Sequence, residues 1–388
     1  MKIHILIIAF LFTLATHAQT PTGLSISSSI TSSGVNRVYT IYIPAMYDGS
    51  IPVPLVFNIH GFSGNDIQQE QYGDFRAIAD TANFIVVHPK ALGAVPSWEV
   101  FGDSITGAAD KTFIMNLLDS IEAQYNIDPT RVYSTGYSEG GFMSQDLACQ
   151  FSTHFAAIAS VCGGMVQSHF NSCDPQHPTP FMEIHGTADP VITYSGVGGA
   201  QTCMPTDSVV KYWVNFNNCN TSAALTNLPD INTFDLCTVE HYVYTSGNLD
   251  GTVELYKVIN GGHQWPADVI TGGLLGVGNR NMDFNASKEI WRFFSQHRLL
   301  TGIENYGIKN NDFVIYPNPS DGNIKVVLRN NQNVSSITIY NVLGKVVFQK
   351  NISNFSSFIN LSNEPSGIYF YQAYEKNNII KKGKLIIQ

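Results

Sequence analysis

A serine inside a glycine-flanked turn, a carboxylate at a later strand end and a histidine between glycines follow one another in this chain, and together such groups could carry out acyl transfer. The serine is Ser138, in the run RVYSTGYSEGGFMSQDLAC from Arg131 to Cys149. An apolar strand, Val132 to Thr135, meets Gly136-Tyr137-Ser138-Glu139-Gly140 and runs into a helix-compatible stretch, the strand, sharp turn, helix layout of a nucleophile elbow. Such a turn strains the backbone at the nucleophile and crowds its flanks, so only glycine fits at Gly136 and Gly140. Ser138 is expected to stand exposed at the C-terminal edge of a parallel sheet, above the positive end of a helix. A G-x-S-x-G match arises by chance on the order of 0.1 to 0.2 times in a chain of this length, so its weight comes from context.

A serine alone is a poor nucleophile and needs a base, an orienting acid and an oxyanion hole. Phe181-Met-Glu-Ile-His-Gly-Thr-Ala-Asp189 is an apolar strand ending in a carboxylate, and Gly261-Gly-His263-Gln-Trp-Pro266 places a histidine on a loop after a strand. Asp before Pro often only caps a turn, yet the position of Asp189, one element before the histidine, favours the triad order Ser138, Asp189, His263. The other histidines fit less well. His4 and His17 fall in the N-terminal leader. His60 and His185 end strands before glycine and suit structural hydrogen bonds. His154, His169, His177, His241 and His297 lack a glycine setting, and His88 ends a strand and is not excluded by pattern. For the oxyanion hole, Asn58-Ile-His60-Gly61-Phe62-Ser63-Gly64 follows a buried strand; the N–H of Phe62, to within one residue, is one expected donor and that of Glu139 the other. Trp98 and Trp265 lie nearest these motifs in sequence, and packing and a flat apolar wall for an aromatic or sugar group weigh equally for them. The Glu139 side chain either favours the helix N-terminus or touches substrate.

The elements that must hold these residues alternate apolar runs with amphipathic segments from Arg37 to about Arg298, the pattern of an α/β fold with a largely parallel sheet. Strands are expected at Arg37 to Ile43 (an edge strand), Leu55 to His60, Phe84 to His88, Phe155 to Val161, Phe181 to His185 and Thr252 to Ile259. Helices are expected at Glu70 to Ala82, after a capping Asp110, at Ser208 to Phe216 and at Ala286 to His297. Between Ser195 and Asn248 the texture turns polar and Asn-rich, which reads as an excursion above the sheet. Beyond Leu300 a polar linker, 301–312, leads into short alternating strands of a small all-β, sandwich-like module over 313–388 that carries no His or Cys.

The first 18 residues have a basic residue, an apolar run and small residues before Gln19, the pattern of a secretory signal peptide; residues 19–300 would then be the catalytic domain. No later stretch is long and apolar enough to span a bilayer, so no membrane span is expected in the mature protein. Six cysteines in an exported chain suggest disulfides, with Cys219 and Cys237 the first expected pair because they bracket one loop-like segment. A formal charge of −9 makes nucleic acid an unsuitable partner.

PLVFNIHGFSG (54–64), SWE (97–99), the AD-x-x-FI segment (109–114), DPTRVYSTGYSEGGFMS (128–144), HGTADPV (185–191) and GGHQWP (261–266) together resemble the secreted polyhydroxybutyrate-depolymerase and feruloyl-esterase-like family, close to carbohydrate esterase family 1. The resemblance runs from about Arg37 to His297. It implies an α/β-hydrolase fold and a serine esterase with no metal or organic cofactor. It also implies substrates among plant-wall feruloyl or acetyl esters or hydroxyalkanoate esters, with Ser138, Asp189 and His263 as nucleophile, acid and base. The chain departs from the family at Glu139, where a small or amide residue is more usual, and at Lys111, where a second acidic residue is common. The C-terminal YPNPSDGNIKV (316–326), ITIYNVLGKVV (337–347) and INLSNEPSGIYFY (359–371) resemble the sorting domain of the type IX secretion system of Bacteroidetes, which implies that machinery as a partner and outer-membrane export. A serine peptidase of the same fold and a surface binding protein without activity are the rival readings.

Overall fold

The structure, a computed structural model, describes residues 22–101, 109–196, 203–248, 251–268, 277–299, 313–316, 318, 320, 322–328, 336–351, 356–375 and 378–388. The expected signal peptide and linker lie outside these residues.

Ten strands form one sheet: β1 (Leu24–Ser32), β2 (Val35–Ile43), β3 (Val53–Ile59), β4 (Ile85–Pro89), β5 (Ile127–Tyr137), β6 (Ala157–Val161), β7 (Phe181–Gly186), β8 (Ala224–Asn227), β9 (Thr238–Tyr244) and β10 (Val253–Ile259). Their order is β1-β2-β4-β3-β5-β6-β7-β10-β9-β8. The run from β4 to β10 is parallel, and antiparallel strands flank it on both sides. Seven helices accompany the sheet among the described residues: α1 (Asp66–Tyr72), α2 (Arg76–Ala82), α3 (Ala109–Gln124), α4 (Glu139–Phe151), α5 (Gln167–Ser172), α6 (Thr206–Phe216) and α7 (Ala286–Phe294).

Alternation along the strands divides the apolar side chains between two cores. Leu55, Phe57, Val132 and Phe181 join Phe113 and Leu117 of α3, Leu147 of α4 and Trp213 of α6. Val56, Tyr133, Met182 and Ile184 join Phe75, Ala79 of α2 and Ile290, Phe293 and Phe294 of α7. With both faces covered, the central strands are mostly apolar, and this is why they were legible as buried runs; the polar residues they carry, such as Asn58, Glu183 and His185, are buried too.

Four expectations need correction. Arg37 to Ile43 is not at the edge, because β1 pairs along all of β2; its serine-rich sequence and mostly exposed residues gave no apolar signal. The helix expected over Glu70 to Ala82 is two, parted at Gly73, whose N–H closes α1 on the carbonyl of Gln69. The polar stretch after Ser195 includes β8 and β9, which extend the sheet; β8 is fully exposed, so its sequence has no reason to alternate. Cys219 and Cys237 are not bridged: the disulfide joins Cys149 to Cys173, whose Cα atoms are 4.9 Å apart. The Cys219 thiol instead donates to the carbonyl of Gly251 at 2.7 Å.

Asp110 stands in the first turn of α3 and accepts from Arg37 at 2.6 Å, so a buried ion pair ties that helix to β2. Lys111, the departure from the family pattern, is answered by Asp146 of α4 at 3.1 Å, and Asp146 also accepts from His169 at 2.8 Å.

The C-terminal strands are β11 (Phe313–Tyr316), β12 (Asn323–Leu328), β13 (Ser336–Asn341), β14 (Val346–Asn351), β15 (Ser356–Asn360), β16 (Gly367–Glu375) and β17 (Asn378–Ile387). They make two antiparallel sheets, β11-β12-β15 and β14-β13-β16-β17. Val326, Ile337, Ile339, Ile359 and Leu385 form their shared core. Among the described residues no helix is long and apolar enough to cross a membrane.

Candidate active site

Ser138 joins β5 to α4 with φ 54° and ψ −118°, a conformation that costs an L-residue free energy and persists only where its surroundings enforce it. The enforcement is visible at its flanks. A Cβ on Gly140 would lie 2.0 Å from the carbonyl oxygen of Ile59, and one on Gly136 would lie 2.4 Å from the carbonyl carbon of Gly140. The backbone N–H of Ser138 donates to the carbonyl of Val161 at 2.8 Å, fixing the turn against β6. Ser138 was expected to be exposed, but it is buried. The loop after β3 covers it, approaching so closely that a Cβ on Gly61 would meet the serine Cβ at 3.1 Å.

Asp189 follows β7 and His263 follows β10, so both stand at the C-terminal sheet edge that also carries Ser138. One oxygen of Asp189, Oδ1, accepts the N–H groups of Val191 and Ile192 at 2.8 and 2.9 Å. Its Oδ2 accepts from His263 Nδ1 at 2.7 Å. Burial alone would raise the Asp189 pKa, but hydrogen bonds and charge from His185 and His263 overcome it and hold the carboxyl well below the usual range. A carboxylate on Nδ1 fixes the proton there, so Nε2 is left as the proton acceptor. That nitrogen is buried and has no hydrogen-bond partner. The histidine backbone is clamped as well: its N–H donates to Val277 and its carbonyl accepts from the Tyr137 hydroxyl, both at 2.7 Å.

The loop carrying Phe62 is a turn closed by the N–H of Gly64 on the carbonyl of Gly61 at 3.0 Å, and the N–H of Ser63 donates to Pro96 at 2.7 Å. His60 Nε2 accepts from the N–H of Ala91 at 3.0 Å, so Nδ1 carries the proton and donates to the carbonyl of Gly61 at 2.7 Å. Burial pushes its pKa down to about 4, consistent with a neutral structural ring. Glu139 opens α4, and its N–H is one of the donors that a helix leaves unmatched at its first turn. Its carboxylate accepts from the Ser97 hydroxyl and from the N–H of Trp98, both at 3.0 Å, so this side chain anchors the 97–98 segment.

Of the two readings weighed for the tryptophans, packing is the one their burial fits. Trp98 is 2% exposed and donates from Nε1 to the carbonyl of His60 at 2.8 Å, and Trp265 is 3% exposed and packs with Tyr72 and Phe75. Neither ring presents an exposed face: Trp98 lies against the His60 ring, and Trp265 against Tyr72 and Phe75. Sequence reasoning missed Tyr137 and Ser97; the only signal was a polar-tipped residue in a buried or motif position. Among the described residues, Cys162, Asp189 and His263 bring three possible metal-ligand atoms within 4.8 Å of one another. The Cys162 thiol donates to the carbonyl of Gln264 at 3.3 Å and burial pushes its pKa up, so it is poorly suited to bind a cation.

A mostly parallel sheet covered on both faces, with a strained serine at a strand-to-helix elbow and a His-Asp pair at the same edge, defines an α/β-hydrolase. The solved acetyl xylan esterase from Aspergillus awamori shares that fold, with a TM-score of 0.50 at 15% identity, covering 70% of this chain and 99% of that one. The family described as Esterase PHB depolymerase matches residues 37–196. Feruloyl esterase C of Emericella nidulans is 32% identical over 195 residues, covering 45% of this chain and 67% of that protein. The chain belongs to this esterase family. A bifunctional acetylxylan esterase/xylanase of Neocallimastix patriciarum is 30% identical over 166 residues, 43% of this chain and 23% of that protein, so the chain spans under a quarter of it. A poly(3-hydroxyalkanoate) depolymerase C of Paucimonas lemoignei is 27% identical over 277 residues, 62% of this chain and 63% of that protein. Residues 314–388 match a secretion system C-terminal sorting domain.

Proposed function

We propose that the chain is a secreted serine carboxylic-ester hydrolase that acts through an acyl-enzyme on feruloyl or acetyl esters of plant-wall polysaccharide. The observation that carries this reading is the buried His263, hydrogen-bonded to Asp189 through Nδ1 at 2.7 Å with Nε2 unpartnered, at the edge that bears Ser138. Ser138 Oγ attacks the ester carbonyl while His263 Nε2 takes its proton, and Asp189 stabilises the imidazolium. The N–H groups of Phe62 and Glu139 hold the oxyanion; one such donor is worth about 3 kcal/mol of transition-state stabilisation. Collapse expels the alcohol with the proton from His263, and water, activated by the same nitrogen, releases the acid.

Wall esters are supported by the feruloyl and acetylxylan esterases among the relatives. The burial of Trp98 and Trp265 removes one argument for an aromatic acyl group and favours a second reading, a polyhydroxyalkanoate ester as for the depolymerase relative. Exposed Phe62, Leu92, Val191 and Val277, on loops at that sheet edge, suit either chain. Purified protein should cleave methyl ferulate or acetylated xylan faster than hydroxybutyrate oligomers and lose cleavage with Ser138→Ala. Hydrolysis of the oligomers alone establishes the second reading, and undiminished cleavage by Ser138→Ala removes both.

A further inference from the structure

Asp189 is shared by two imidazoles. Besides His263, the buried ring of His185 points Nε2 at Asp189 Oδ2, 3.5 Å away, and at the carbonyl of Ile192, 2.8 Å away. The N–H of Ile192 in turn holds Asp189 Oδ1 at 2.9 Å, so His185, Ile192 and the carboxylate close a ring of contacts that fixes its plane. The other nitrogen, Nδ1, faces Glu183 Oε1 at 3.2 Å. Both nitrogens of this ring face oxygen acceptors, so each is called on to donate, and an imidazole that donates twice carries a positive charge.

We propose that His185 is a positively charged positioning residue, held by Glu183, that fixes the orientation of Asp189 and sets how strongly Asp189 stabilises a proton on His263. The inference rests on the assignment of Asp189 and His263 as acid and base. Glu183, His185, Asp189 and His263 form a row of alternating charge in which the last member gains its charge only during turnover. A cation beside Asp189 partly offsets the carboxylate's pull and makes His263 easier to deprotonate; Glu183 offsets the cation. Among the described residues, other groups face the row. Tyr137 of β5 sets its ring 4.9 Å from that of His263, gives its hydroxyl hydrogen bond to the His263 carbonyl, and is kept protonated by burial. Cys162 reaches it from the end of β6, and its buried thiol is pushed up and stays protonated. Tyr194 lays its ring edge-on to His185 at 5.8 Å, and its hydroxyl donates a hydrogen bond to Asp207 at 2.6 Å. Lys257 of β10, whose backbone pairs with His185, lies 5.3 Å over the Tyr194 ring and 4.0 Å from Glu240. Burial acts to lower the His185 pKa, but the hydrogen bonds to Asp189 and Glu183 outweigh it and raise it to about 10; Glu183 is raised by burial to about 7.

The test is the pH profile of kcat/KM on a short chromogenic ester. With His185→Gln the lost cation should move the acid limb to higher pH and lower kcat about tenfold, with KM within about twofold of the parent. With Glu183→Gln the loss of the charge that Glu183 carries above about pH 7 should move the upper part of the limb to lower pH. Acid limbs that coincide with the parent's in both variants overturn the proposal, whatever happens to kcat, because a structural role alone predicts no opposed shifts. In the unmodified protein, 15N NMR should find the His185 ring, recognised by the change that Glu183→Gln imposes on it, protonated on both nitrogens at about pH 8. A neutral ring there overturns the charge assignment without recourse to a variant that must fold. Loss of activity in Ser138→Ala tests the underlying triad separately, so the two failures are distinguishable.

Discussion

Asp189 is held by geometry, since three hydrogen bonds converge on its two oxygens and the His185 ring stands 3.5 Å from Oδ2, which leaves the carboxylate one orientation. Replacing it with Asn keeps the shape but puts an amide where Nδ1–H needs an acceptor, favouring the wrong tautomer of His263. Asp189→Asn should therefore cut kcat by about four orders of magnitude with little change in KM. A loss below about tenfold in steady-state kinetics would assign the orienting role elsewhere. That this aspartate follows an apolar strand and precedes Pro190 was legible in the sequence. That His185 stands on its other side was not, because a strand-end histidine before glycine carries the same local pattern whether its partner is a backbone carbonyl or a buried carboxylate.

At the scale of elements, the elbow is a steric device. Gly140 admits no side chain against Ile59, so Gly140→Ala should destabilise the fold by more than about 3 kcal/mol and abolish hydrolysis. Near-parental stability in urea unfolding together with retained activity would refute the steric account. The Arg37–Asp110 pair makes a second case. Both side chains are buried, with Arg37 also 4.0 Å over the Phe113 ring, so Arg37→Met leaves Asp110 uncompensated and should cost ~3–5 kcal/mol. Trp98 and Trp265 show the limit of reading at this scale. Their proximity to motifs in sequence was visible, but which side of a loop faces the core depends on what the other loops leave open.

For the whole molecule, buried histidines set the pH range of stability. His60 and His88 have pKa values pushed by burial to about 4 and about 3, below the ordinary 6.5. The unfolded chain thus takes up protons that the folded one refuses, and stability falls as pH drops from about 6.5 through about 4. His185 has the opposite sign: with its folded value near 10, its contribution is complete below the ordinary 6.5 and is lost as pH rises toward 10. Thermal unfolding midpoints should peak near neutrality and fall on both sides. A midpoint that is flat from about pH 7 to about pH 4.5 contradicts the histidine account. The sorting module has its own core, so removing residues 313–388 should leave ester hydrolysis intact and stop export. Activity lost with the deletion, in otherwise folded protein, would make the module part of the catalytic unit.

The sequence by itself determined the elbow, the order of Ser138, Asp189 and His263 and the parallel core, because each is written locally: glycines where no Cβ fits, carboxylate and histidine just past apolar strands, and strands covered on both faces. Tertiary structure alone decided the rest. It placed β1 outside β2 and added β8 and β9, since a strand with one exposed face needs no apolar run. It paired Cys149 with Cys173, since bridging depends on Cα separation and not on spacing in the chain. It turned both tryptophans inward and set His185 beside Asp189, since burial and long-range pairing depend on which distant segments meet.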